Sequence, residues 1–207
     1  MTVTMIWEHL YLVIVSILFT ILLGIPIGTM AYYFPKLRKY ILSGVEVLQT
    51  IPAMALLGLI MVLLGAGKPT VIVGLVLYSL LPVVLNTYVG FSGIDPALKE
   101  AATGMGMSRS IRLFRIELPL AFPLIFTGIR IATVTAISVA VFASLVGGGG
   151  LGKVFFQGIR ISDFRMIWEG TLVLMLMAVF FDGIMALIER YLRRRLLGER
   201  RKMKGVL

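Results

Sequence analysis

Few residues of this chain have types and spacing suited to chemistry. Gly147-Gly148-Gly149-Gly150-Leu151-Gly152-Lys153 satisfies G-x-x-x-x-G-K, a spacing at which backbone N–H groups cradle phosphates and a lysine reaches them. The next position should carry Ser or Thr to hold magnesium and carries Val154, so the nucleotide reading lacks its hydroxyl. The segment reads instead as a flexible turn into a short re-entrant or surface helix. Cysteine is absent, which removes disulfides, thiolate metal sites and a cysteine nucleophile. The single histidine, His9, has Trp7 and Tyr11 as near neighbours and reads as an interfacial residue. No catalytic residue and no metal ligand is assigned. The acids well inside apolar blocks are Asp182 and Glu46, too few for an ion-coupled carrier, and Arg130 is the base inside a block. Arg130 and Asp182 form a candidate intramembrane pair. Glu46 is a rival partner, and snorkelling of Arg130 to the interface is the alternative to both.

The most informative spacing lies in Glu100 to Pro119, EAATGMGMSRSIRLFRIELP. Asp95-Pro96 fits a helix start, with Asp at the cap and Pro in the first turn, which sets Glu100-Ala101-Ala102 early in a short helix. Ala101 and Ala102 favour the helix and leave its backbone open to close contact. Gly104 and Gly106 permit a sharp reversal. Arg109, Arg112 and Arg115 then repeat every three residues, on one side of a second helix facing headgroups or cytosol, which Pro119 ends or bends.

These residues need a scaffold, and its solvent follows from composition. The 207 residues are 59% hydrophobic and 14% charged, with a mean hydropathy of +1.00. A chain of this kind belongs in a bilayer. The net charge of +10 would suggest nucleic acid in a soluble protein, but here it falls in clusters beside apolar spans. Nucleic acid is therefore not an expected partner. Lipid is.

Five apolar blocks are long enough to cross about 30 Å of hydrocarbon, near 10–33, 41–64, 70–91, 123–146 and 167–188. All are expected as helices, since an open strand cannot satisfy its backbone in lipid. The first block is too long and too weakly basic at its start for a cleaved signal peptide. Fifteen Lys and Arg lie on one side of this topology and four on the other, with Arg130 inside a span. The N-terminus is thus expected outside and the C-terminus in the cytoplasm. The loop 94–122 and the basic tail 190–207 then face the cytoplasm, and the tail, lacking apolar periodicity, should fray beyond its anchoring cluster Arg193–Arg195. The glycine segment falls on the outer side, away from ATP. Gln49, Thr50 and Pro52 should break the second block early. Tyr78, Asn86 and Tyr88 in the third block, and Phe142 in the fourth, are candidates for lining a translocation path, with helix packing as the equal alternative for the polar groups of the third block.

The pattern Glu100-Ala101-Ala102, Gly106, Ile116, Leu118-Pro119 resembles the EAA loop of permease subunits from ATP-binding-cassette importers. QTIPAMALLGLIMVLLGAG and LYSLLPVVLNTYVGF resemble the osmoprotectant branch of that family, which takes up glycine betaine, carnitine or choline, and Gly147 to Gly152 resembles its GxGGLG segment. The resemblance covers nearly the whole chain. It implies one all-α, multi-pass permease domain of the cell membrane, with short cytoplasmic coupling helices between the third and fourth spans. It implies docking of Glu100, Ala101, Ala102, Gly106, Ile116, Leu118 and Pro119 onto a separate ATPase. That partner, in two copies, would hold the ATP and magnesium. A second permease subunit, identical or homologous, and an extracytoplasmic substrate-binding protein would complete the importer. Rival readings are an importer for another small solute such as methionine, an ion-coupled transporter or channel, and an intramembrane enzyme.

Overall fold

The computed structural model describes residues 2–197. Among these, every regular element is helical, as expected of a backbone that must satisfy its own hydrogen bonds in hydrocarbon. Helix α1 (Val3–Tyr33), α4 (Lys68–Ser92), α7 (Leu118–Val139) with the tight turn Ala140–Val146 that continues it, and α9 (Phe164–Leu197) are each long and apolar enough to cross a membrane.

Helix α4 is the centre, packed between α1 and α7, with 61% of its most apolar stretch buried. Small residues bring these backbones together: a Cβ on Gly28 would stand 2.6 Å from the Val84 carbonyl oxygen, and one on Gly128 2.5 Å from that of Pro82. Helix α9 is peripheral. Only 6% of its apolar stretch is buried, and Leu176, Val179, Phe180 and Leu187 are exposed, which leaves that face to lipid or to a partner subunit.

The second apolar block forms two helices, α2 (Pro35–Thr50) and α3 (Ala53–Leu64), meeting at 99°. Proline disfavours the helical region for the residue before it, and Ile51 is extended at φ −74°, ψ 125°. The polar side chains at the break find partners. Thr50 Oγ1 donates to the Val47 carbonyl at 2.7 Å, and Gln49 Nε2 donates to that of Tyr78 at 3.0 Å. Lys36, Arg38 and Lys39, expected in a connection, lie in the first turns of α2.

Two poles result. At one, α1 begins and the glycine segment folds over it before α8 (Gly152–Arg160). Here His9 departs from its interfacial expectation. It is fully buried, with Nε2 3.0 Å from the Ile137 carbonyl oxygen, because Gly150 closes over its ring. At the other pole α1 ends at Tyr33 beside the segment between α4 and α7. Helix α9 runs through Arg193–Arg195 to Leu197, while Arg200, Arg201, Lys202 and Lys204, where fraying was expected, lie outside the described residues.

Candidate functional site

Helix α5 (Pro96–Gly104) carries Glu100, Ala101 and Ala102. Asp95 caps it, Oδ1 accepting the Ala97 N–H at 2.9 Å, with Pro96 at the first position where no N–H is needed. Its end is a Schellman motif. The Met107 N–H reaches the Ala102 carbonyl at 3.2 Å and the Gly106 N–H that of Thr103 at 2.9 Å. That closure places Gly106 at φ +77°, in the left-handed region. Gly104, which the sequence reading placed in the reversal, is simply the last residue of the helix.

A four-residue helix α6 (Arg109–Arg112) follows and opens into a π-turn, Leu113–Glu117, before α7. Pro119 has no N–H to give the Arg115 carbonyl and its ring crowds that group. The wider turn, with the Leu118 N–H bonded to the Leu113 carbonyl, accommodates it. Pro119 therefore does not end the helix, which runs on into α7. Glu100, Ala101 and Gly106 are exposed, Ala102 is buried, and Ile116, Leu118 and Pro119 are half-buried.

Around them lies an apolar surface that sequence reasoning missed. Leu98, Met105, Ile111 and Phe114 are all exposed, Met105 at 68% and Phe114 at 66%, on α5, on the turn that closes it and on the start of the helix that runs on into α7. Exposed apolar side chains on α5 and its closing turn, among polar neighbours, mark an interaction surface. The signal was present in the sequence as hydrophobics interrupting a basic run.

The arginine series is not one face. Arg109 and Arg115 are exposed, while Arg112 turns inward to Glu117, a fully buried carboxylate that needs a counter-charge. Arg112 Nε donates to Glu117 Oε1 at 2.7 Å, and the Tyr33 hydroxyl donates to Oε2 at 2.7 Å. Arg112 Nη1 also donates to Thr103 Oγ1 of α5 at 2.8 Å. Lys99 Nζ donates to the Tyr32 hydroxyl at 2.7 Å and to the Phe91 carbonyl at 3.2 Å.

Arg130 and Asp182 meet in a two-bond fork, Nε to Oδ1 at 2.7 Å and Nη2 to Oδ2 at 2.8 Å. A third member, Glu189, accepts from Arg130 Nη1 at 3.1 Å and from Thr127 Oγ1 at 2.8 Å. It stands seven residues, two helical turns, after Asp182 on the same face of α9. Glu46 lies exposed on α2 and is not part of this cluster.

The four path candidates do not share one environment. Tyr78 is half-buried against the core, and Asn86 Nδ2 donates to the Pro82 carbonyl at 2.8 Å near Gly128. Tyr88 lies under the Arg38 guanidinium, 5.1 Å from its ring centre, whereas Phe142 packs on Phe156 at 6.0 Å near the opposite pole. In the glycine segment, Glu8 Oε2 accepts the Gly150 N–H at 2.9 Å. A carboxylate thus occupies the loop that a phosphate would need. Among the described residues no group of His, Cys, Asp or Glu could hold a metal ion.

Comparison with known proteins accounts for this arrangement. Residues 10–196 match the family described as "Binding-protein-dependent transport system inner membrane component". The glycine betaine/carnitine/choline transport system permease protein OpuCB of Bacillus subtilis (strain 168) is 36% identical over 183 residues, 88% of this chain and 84% of that protein. The osmoprotectant import permease protein OsmW of Salmonella typhimurium is 38% identical over 184 residues, 86% of each chain. Among solved structures, an inward-facing MetNI methionine ABC transporter gives a TM-score of 0.83 at 23% identity, covering 92% of this chain and 95% of that one. The fold with its membrane-length helices, and the match along nearly the whole sequence, lead to one conclusion: this chain belongs to the binding-protein-dependent transport system inner membrane components, multi-pass permease subunits of ATP-binding-cassette importers.

Proposed function

We propose that this permease forms the path for a quaternary ammonium osmoprotectant such as glycine betaine, carnitine or choline. The observation that carries this reading is the similarity to permeases named for those solutes, at 36–37% identity across 88–90% of the chain. The likeness to the methionine transporter lies at 23% identity and speaks for the fold, not for the solute.

Helix α5 and the π-turn are the coupling segment. Exposed Glu100, Ala101 and Gly106, with Leu98 and Met105 exposed on the same segment, offer a capped helix to a groove on an ATPase subunit. Two such ATPases hold ATP and magnesium. A second permease, identical or homologous, covers part of the apolar face, and an extracytoplasmic binding protein delivers solute at the pole of the glycine segment. The α5 pole is cytoplasmic and the N-terminus lies outside, as the distribution of Lys and Arg supports.

The test is uptake by vesicles containing the permease, its ATPase and its binding protein. Labelled glycine betaine, carnitine or choline should accumulate, and unlabelled members of that class should compete. Accumulation of methionine with none of these three would refute the solute class.

A further inference from the structure

Helix α5 is held to the rest of the molecule by very little packing. Of its nine residues, only Ala102 is buried. Its polar attachments run to the Phe91 carbonyl of α4 and to two adjacent residues, the last two of α1. Lys99 Nζ reaches the Tyr32 hydroxyl, its ammonium also lying 4.9 Å from the centre of that ring. Thr103 accepts from Arg112, Arg112 donates to Glu117, and Glu117 accepts from the Tyr33 hydroxyl. Both carboxylate oxygens of Glu117 are thus engaged, on opposite sides, at zero exposure. Tyr32 and Tyr33 are themselves in edge contact, 4.8 Å between ring centres, so the two routes converge on one site.

We propose that Glu117 is a positioning residue that ties coupling helix α5 to the end of α1, so that displacement of α5 moves α1. The proposal deepens the coupling reading and rests on it. Its physical basis is directional. Apolar contacts let one helix slide over another, whereas charge-assisted hydrogen bonds of 2.7 Å hold position along the helix as well as across it. A helix attached through such bonds transmits a push or a pull. Of the two routes from α5 to α1, the one through Arg112 passes through one buried carboxylate, and without it Arg112 and Tyr33 lose their common partner.

The test uses the complete complex of permease, ATPase and binding protein in lipid nanodiscs for hydrolysis, and in vesicles for uptake. Glu117→Gln keeps the shape and removes the charge; Tyr33→Phe keeps the ring and removes only the hydroxyl. Expected in Tyr33→Phe, which lies outside the coupling segment, are normal association with the ATPase and normal basal hydrolysis; solute moved per ATP should fall about tenfold or more in each variant, the scale of one charge-assisted hydrogen bond. The double variant should be no worse than the stronger single one, because both substitutions break the same link. Should Glu117→Gln fail to assemble, Tyr33→Phe decides. Unchanged solute moved per ATP in Tyr33→Phe, or uptake and hydrolysis falling in parallel, overturns the inference while leaving the coupling reading intact. A wild-type permease that binds no ATPase overturns both.

Discussion

Replacing Gly106 separates two reasons for a glycine at that position. The residue adopts φ +77° in the Schellman closure of α5, and no atom lies within 4 Å of where a Cβ would project. The penalty is therefore conformational and should not depend on side-chain volume. An L-residue in the left-handed region costs about 1–2 kcal/mol, a factor of roughly 5–30 in the equilibrium between the closed and frayed helix end. Gly106→Ala and Gly106→Leu should weaken the cap alike, and Gly106→Asn less, since Asn tolerates this region. Hydrogen exchange of the Gly106 and Met107 amides, which bond to Thr103 and Ala102, reads the cap directly in the membrane-embedded permease. Exchange should accelerate within that 5–30-fold range for Ala and Leu. Exchange unchanged in Gly106→Ala would refute the reasoning. A loss of ATPase binding in Gly106→Leu far beyond that in Gly106→Ala would locate the constraint in the partner's groove instead.

Two further outcomes follow from the geometry. Arg130→Met should lower the unfolding temperature in detergent more than Asp182→Leu does, because it leaves Asp182 without its counter-charge and Glu189 with Arg193 alone, whereas Arg130 keeps Glu189 when Asp182 is lost. The Arg130→Met/Asp182→Leu double variant should recover part of the loss; simple additivity of the two would contradict the pairing. For topology, Lys153→Cys, exposed in the first turn of α8, should react with an impermeant thiol reagent in intact cells. Reaction only after lysis would reverse the orientation. Gly149 is unsuited to that probe, since its Cβ would stand 2.5 Å from Glu8 Oε2.

What the sequence disclosed, and what it withheld, divides along the range of the forces involved. The cap of α5 was legible because Asp95-Pro96 and Gly106 act on their own backbone, within a few residues. Hydrophobic length revealed the membrane helices, and Pro52 marked a break. Its 99° angle depends on how α3 packs against α4, which no local residue encodes. Arg130 and Asp182 were paired by depth alone, whereas Glu189 went unnoticed although its spacing from Asp182 puts both on one helix face. The burial of His9 and of Glu117 depends on segments 128 and 84 residues away in sequence, and composition offers no sign of such contacts. Arg112 was read with its neighbours as a solvated stripe because periodicity records a face, not the buried carboxylate opposite one member.

The central claim is that hydrolysis of ATP by a partner drives solute through this chain, and the energy source can be measured separately from the solute. Vesicles carrying the permease, its ATPase and its binding protein are loaded with ATP and magnesium on the side that α5 faces, with no ion gradient. A second set holds the permease and binding protein alone under an imposed proton or sodium gradient. Accumulation of glycine betaine, choline or carnitine should occur in the first set and vanish when ATP is replaced by a non-hydrolysable analogue. Accumulation in the second set, driven by the gradient with no ATPase present, would contradict it.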